Sequence, residues 1–151
     1  MASLQLTSPA LDDGEPIPRE YGYTDGNHNP PLEVDGVPDE AEALALVVDD
    51  PDAVEPAGKV WDHWLVWNVD PETTMIPEDW DAAAAVEGQN DYDERGYGGP
   101  NPPDSEHRYR FRCYALDNTV DLDAGATKDE LRRAIEGHVL AEAQLTGTYA
   151  P

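Results

Sequence analysis

The chain is short of several things that would point to a familiar class of protein. It holds one cysteine, Cys113, one phenylalanine and two lysines, Lys59 and Lys128, in 151 residues. A lone thiol excludes a disulfide framework and the paired cysteines of a structural zinc site, and Cys113 reads as a buried, inert side chain. Positive charge is scarce as well. Nine Lys+Arg stand against 33 Asp+Glu, for a formal net charge of −24, and such a surface repels nucleic acid and anionic membranes. The longest wholly apolar run, Ala43 to Val48, is far too short to cross a bilayer, so no transmembrane segment is expected. No basic segment leading into an apolar run marks the N-terminus, so no signal peptide and a cytoplasmic location are expected. A nucleophile-elbow serine, a phosphate-cradling glycine loop ahead of a helix and any internal repeat are also missing.

What is present argues for a folded domain despite the charge. At 151 residues, one domain spanning 1–151 can bury about two-thirds of the surface of its unfolded chain. Its apolar segments alternate cleanly, which disordered acidic chains do not show. The excess acid therefore reads as a solvated surface like that of proteins from salt-rich cytoplasm, where counter-ions screen self-repulsion. The scarcity of lysine fits the same halophilic habit.

Residues 1–40 begin with Leu4 and Leu6 alternating with polar neighbours, after which proline or glycine interrupts the chain every few positions. That spacing suits an all-β domain with long connections. His28, in the polar run 25–29, reads as a solvent-exposed loop residue. Ala43–Asp50 is a strand with Leu44, Leu46, Val48 and Asp50 on one face. Asp50 is either the acid that caps the turn at Asp-Pro-Asp or a site residue at the end of an apolar stripe. A second strand, Val60–Val69, places Trp61, His63, Leu65 and Trp67 on one face and Asp62, Trp64, Val66 and Asn68 on the other. Both faces are apolar enough for a central strand. His63 can be a core histidine or a site residue.

Residues 70–93 suggest only a loop with one helical turn near the alanine run 82–85. Leu116–Leu122 reads as a short strand with a turn at Asp117–Asn118. Thr127-Lys-Asp-Glu130 has the form of a capping box, and apolar residues recur at helical spacing from Leu131 to Ala143. A helix over Thr127–Ala143 with His138 at its edge is expected, followed by an edge strand at Leu145–Tyr149.

The most telling stretch is Glu94 to Tyr114. Gly96, Gly98 and Gly99 with Pro100, Pro102 and Pro103 make a stiff loop. Strict alternation follows, with His107, Tyr109, Phe111 and Cys113 pointing inward and Arg108, Arg110 and Arg112 outward. A histidine and a tyrosine thus enter the protein directly behind a shaped loop, which is how a pocket wall is built. If the strands neighbour one another, Asp50, Asp52, Trp61, His63, His107 and Tyr109 converge. Two histidines and a carboxylate can hold a metal, act as acid and base, or bind an anion through imidazoles oriented by aspartate.

The blocks Asp50-Pro-Asp-Ala53, Trp61-Asp-His-Trp64, Gly98-Gly-Pro-Asn-Pro-Pro103 and His107-Arg-Tyr109 resemble, in order, the signature of the phosphatidylethanolamine-binding protein family. The similarity is to its bacterial and archaeal, Raf kinase inhibitor-like (YbhB/YbcL) branch. Shorter matches, among them Ser8-Pro-Ala10, Asn90-Asp91 and Gly147-Thr-Tyr149, extend it over essentially the whole chain. The resemblance implies an antiparallel two-sheet β-sandwich with peripheral helices and an anion-binding cavity at one end. It carries ligand-binding roles onto Asp50, Asp52, Trp61, His63, Gly99, Pro100, His107 and Tyr109. Val54 stands where the family usually has proline, Val34 replaces a frequent tryptophan, and Asn101 replaces a frequent cysteine.

The expectation is a binding module for a small anion such as a phosphate ester or phospholipid head group. No catalytic residue, no metal and no cofactor is assigned. Two other readings stay open, a hydrolase that uses His63 and His107 and an interaction protein that works through its surface. A protein partner and a homodimer stay open with them.

Overall fold

A computed structural model describes residues 4–82 and 84–151. Among these, β1 (Gln5–Thr7), β2 (Leu32–Asp35) and β5 (Met75–Ile76) form one sheet in the order β1-β2-β5. A larger sheet runs β6-β4-β3-β7-β8, built from β6 (Val86–Glu87), β4 (Trp61–Val69), β3 (Ala43–Asp50), β7 (His107–Leu116) and β8 (Val139–Tyr149). All neighbouring strands pair antiparallel. The result is the expected β-sandwich, with the short helix α1 (Val54–Ala57) at one end and α2 (Lys128–Ile135) on the outer face of the large sheet.

Two apolar layers follow from the alternation. Leu6, Leu32, Val34 and Ile76 meet Leu44, Leu46, Val48, Phe111 and Cys113 between the sheets. Ala45, Val47, Leu65 and Trp67 pack against Leu131 and Ile135 of α2. Strand β3 is buried along its whole length because it is covered on both faces. Cys113 is fully buried, and burial pushes its thiol up to about 12.

Three expectations about local structure change. The C-terminal helix begins as read, with Thr127 accepting from the Glu130 amide and Glu130 reaching back to the Thr127 N–H. It stops at Ile135, however, because Gly137 takes φ +83° and turns the chain. Residues 139–149 then pair with the full length of β7. Ala141, Ala143, Leu145, Gly147 and Tyr149 form the inward row of that strand, so a period of two wins over the helical spacing. His138 sits in this turn, exposed and hydrogen-bonded to Asp117. Residues 119–122 are not a strand. The Asn68 side chain instead holds the backbone N–H and carbonyl of Val120.

The third change concerns β4, whose two phases cannot be seen from alternation alone. Val48 lies opposite Trp64, but the next residue, Asp49, lies opposite Asp62, so His63 is an extra residue in the ladder. Trp61 and Trp64 therefore share the inter-sheet side, whereas Leu65 and Trp67 face α2. A second irregularity, where Asn68 takes φ +58°, lies between the pairs at Leu46 and Leu44.

The segment 70–93 contains two short strands, β5 and β6, that its composition does not announce. The helical turn read near the alanine run lies partly outside the described residues, since position 83 is not described, and residues 84–85 form a turn. Among the described residues no helix is long and apolar enough to cross a membrane.

Candidate functional site

The bulge at His63 and the Gly/Pro loop make one corner of the sandwich. Gly98 N donates to the His63 carbonyl at 2.8 Å, and the His63 Nδ1–H donates to the Gly98 carbonyl at 2.7 Å. The loop is thereby clamped to the strand at a point where the bulge frees a backbone group. On its other side the loop rests on residues 21–29. Gly99 N donates to Asn27 Oδ1, and Tyr23 N donates to the Pro100 carbonyl. A Cβ on Gly99 would lie 2.1 Å from the Tyr21 carbonyl oxygen, so only glycine allows this approach.

These contacts enclose a cavity of about 210 Å³. Asp50, Trp61, His63, His107 and Tyr109 line it together, from three adjacent strands. Asn101, Pro102 and Pro103 form its rim, and Ala53, Pro56 and Ala57 its far wall. Tyr92 completes the lining and was not anticipated. Its ring stacks on Tyr23, with centroids 3.9 Å apart, and meets Trp61 and His63 edge-on. The only sequence signal for it is its place directly after the Asn90-Asp91 block. Asn90 caps the turn that carries it, and the Asp91 side chain accepts from the Asp62 N–H.

Three of the anticipated site residues shape the cavity without lining it. Asp52 accepts from the Arg108 N–H at 2.9 Å, which ties the turn after β3 to the start of β7. Gly99 and Pro100 act through their backbones, the Gly99 carbonyl accepting from the Tyr92 hydroxyl at 2.8 Å. Val54, the departure from proline, is exposed on α1.

Asp50 caps the turn and also lines the cavity. One oxygen caps the turn by accepting from Asp52 N at 2.8 Å, and the other accepts from His107 Nδ1–H at 2.6 Å. The second nitrogen of His107 is not free either. It donates to Asp104 Oδ1 at 2.8 Å. Burial alone would lower the His107 pKa, but the bonds to Asp50 and Asp104 outweigh it and raise the value. Both nitrogens of His107 thus contact carboxylates, an arrangement that favours the protonated ring. Burial, stronger than the His107 and Asp52 bonds that oppose it, raises Asp50.

His63 behaves differently. Buried with only backbone carbonyls to accept from it, it is pushed down to about 4. Near neutral pH its single N–H is spent on the Gly98 carbonyl. Tyr109 is 1% exposed and its hydroxyl has no hydrogen-bond partner among the described residues, and Trp61 Nε1 is buried and equally unpaired. Burial also raises the Tyr109 pKa, so the hydroxyl stays a donor.

Comparison with known proteins fits this geometry. The family model for phosphatidylethanolamine-binding protein matches residues 7–150. An uncharacterised UPF0098 protein of Methanothermobacter thermautotrophicus is 46% identical, covering 97% of this chain and 98% of its own. The phosphatidylethanolamine-binding protein homolog CT736 of Chlamydia trachomatis superposes with a TM-score of 0.93 at 41% identity, covering 99% of this chain and 98% of that one. YbcL of Escherichia coli, described as a member of the mammalian PEBP family, gives 0.89 at 31% identity, with 98% of each chain covered. The fold is the antiparallel β-sandwich of these relatives. The chain belongs to the phosphatidylethanolamine-binding protein family.

Proposed function

We propose that the protein binds a small oxyanion, a phosphate monoester or the phosphoryl head group of a lipid, in the corner cavity and releases it unchanged. The observation that carries this reading is a pair of buried donors without partners, the Tyr109 hydroxyl and Trp61 Nε1–H, beside the His107 imidazolium. A buried donor left unpaired costs about 1–3 kcal/mol, and a bound oxygen removes that cost. His107 supplies the charge and Asp50 fixes its orientation. Asp104, whose side chain is 50% exposed, is the group an incoming anion replaces on His107 Nε2. His63, neutral near pH 7, shapes the wall and clamps the rim.

Binding without turnover is the reading for this chain. An imidazolium held by two acids is a poor general base, and His63 has no free N–H to give as an acid. The acid-rich surface suits a salt-rich cytoplasm, where we place the protein.

Titration calorimetry with phosphorylethanolamine and with inorganic phosphate, on wild type and His107→Ala, tests this. The variant is expected to lose about 1.5–3 kcal/mol of binding, the range for a hydrogen bond to a charged group. Unchanged affinity would remove the cavity from the function and leave the acidic surface as the acting part. Release of phenolate from an aryl phosphate, lost in His63→Ala, would instead establish a hydrolase.

A further inference from the structure

A second constellation lies away from the cavity, where three connecting segments meet. Glu20 belongs to the short turn 19–21, His28 to the loop that follows it, and Glu78 to the loop after β5. One donor atom from each lies within 4.8 Å of the other two. The sequence placed His28 as a solvent-exposed loop residue, but its Nε2 is buried and has no hydrogen-bond partner. That nitrogen is 3.9 Å from Glu78 Oε1, too far for a hydrogen bond. Among the described residues, neither glutamate pairs with a lysine or arginine. Two carboxylates and an unpartnered imidazole thus face one another without a cation to balance them.

We infer that Glu20, His28 and Glu78 form a binding site for a divalent transition-metal cation, a site separate from the anion cavity. The donor set is one nitrogen and two carboxylate oxygens, which suits zinc or its first-row neighbours better than magnesium or calcium, because imidazole is a borderline ligand. Ligand atoms around a tetrahedral zinc at about 2.0–2.2 Å lie about 3.4 Å apart. The donors now lie within 4.8 Å of one another, and both glutamate side chains that would close in are exposed.

The surroundings hold the imidazole ready. The Tyr21 ring packs edge-on against His28 with centroids 5.3 Å apart, and the Tyr21 hydroxyl donates to Glu78, which keeps that carboxyl below its ordinary range. A Cβ on Gly26 would sit 2.9 Å from His28 Cε1, so the ring lies tight against the loop backbone. Asn29 binds the loop after β5 through the Trp80 N–H and the Pro77 carbonyl. A metal here would cross-link the 19–29 segment to the 77–80 loop. The first of these also supports the Gly99–Pro100 rim.

The diffuse attraction of an acidic protein for any cation has to be suppressed, so the measurement belongs in about 1 M KCl, where the screening length is about 3 Å. The probe is ZnCl₂ added to chelator-treated protein. The readout is the long-range proton–nitrogen spectrum of the four histidines. One equivalent of zinc is expected to move the ring signals of His28 and leave those of His63, His107 and His138 in place. His28→Ala and Glu78→Gln are each expected to weaken zinc binding by roughly tenfold or more. Movement of another histidine at one equivalent, no movement at all, or a zinc affinity in both variants equal to that of wild type would overturn the site.

Discussion

Asp49 and Asp50 are neighbours on β3, both almost completely buried, at 0% and 3% exposure, yet they do opposite things. Asp49 faces the helix side. Its carboxylate takes a two-pronged contact from Arg110 at 2.8 and 3.0 Å, a third bond from Arg112 at 2.7 Å and a fourth from Lys128 at 3.2 Å. Burial would raise its pKa, but the Arg110 bonds and the charges of Arg112 and Lys128 win and lower it. Asp50 faces the cavity and has a single titratable partner, His107, and its pKa is raised. One acid is held by charges that never switch off. The other belongs to a pair whose charge depends on pH and on what is bound. The binding proposed above uses the acid whose charge is conditional, and the acid whose charge is fixed serves stability.

The comparison breaks most sharply by mutation. Asp49→Ala leaves three cations around an empty buried position and is expected to cost about 3–5 kcal/mol in urea unfolding. Asp50→Asn keeps a capping oxygen and is expected to cost much less, while lowering the His107 pKa and weakening anion binding. Equal losses of stability would end the distinction between the two acids.

The two cavity histidines sharpen it further. His63 takes up its proton less readily folded than unfolded, so its contribution to stability is full above about pH 6.5. That contribution declines as pH falls toward about 4, by on the order of 3 kcal/mol. His107 has the opposite sign. Its raised pKa contributes below about 6.5 and is lost as pH rises through the folded value. Anion binding is accordingly expected to fade in the alkaline range. Unfolding of His63→Gln across pH 4–6.5 should lack the wild-type acid slope, and an unchanged slope would rule out the neutral assignment.

A smaller effect is expected at Asp104, the competitor for His107. Asp104→Ala is expected to bind phosphate about three- to tenfold more tightly, a gain of one hydrogen-bond-sized increment. Weaker binding in that variant would mean that Asp104 holds the ligand instead of competing with it.

The smallest effect concerns the surface acids as a group, since 33 Asp+Glu face only nine Lys+Arg. Screening their mutual repulsion from about 0.1 M to molar KCl is expected to raise the melting temperature by about 3 °C per kcal/mol gained. Asp49→Ala should keep that dependence, because buried pairs are screened far less. A flat series in wild type would count against a salt-adapted surface.

Much of this was legible in the sequence for a physical reason. Strands with one buried face carry their register in period two, and β7 showed it without interruption, whereas β3, covered on both faces, showed as an apolar run that ends at Asp50. That is why Asp50, His107 and Tyr109 were placed on inward faces correctly. Local signals failed where tertiary pairing decides. The Val139–Ala143 stretch continues the helical spacing and also fits an alternating pattern, and only the ladder with β7 selects the strand. Tyr92 and Asp104 were missed because a loop side chain has no period to read. The phase of β4 was misread because alternation carries no mark of an inserted residue.

That inserted residue separates the inheritance of the fold from that of the cavity. Trp61 lies opposite Asp50, Asp62 opposite Asp49 and Trp64 opposite Val48, and within this stretch His63 has no counterpart. Removing its codon is expected to leave those three pairings intact and this end of the ladder regular. A sandwich without this histidine is therefore complete as a sheet, and its cavity wall and loop clamp are one codon away. Gain or loss of that wall is therefore expected as a one-residue insertion or deletion in β4 that keeps the pairing of its flanking residues.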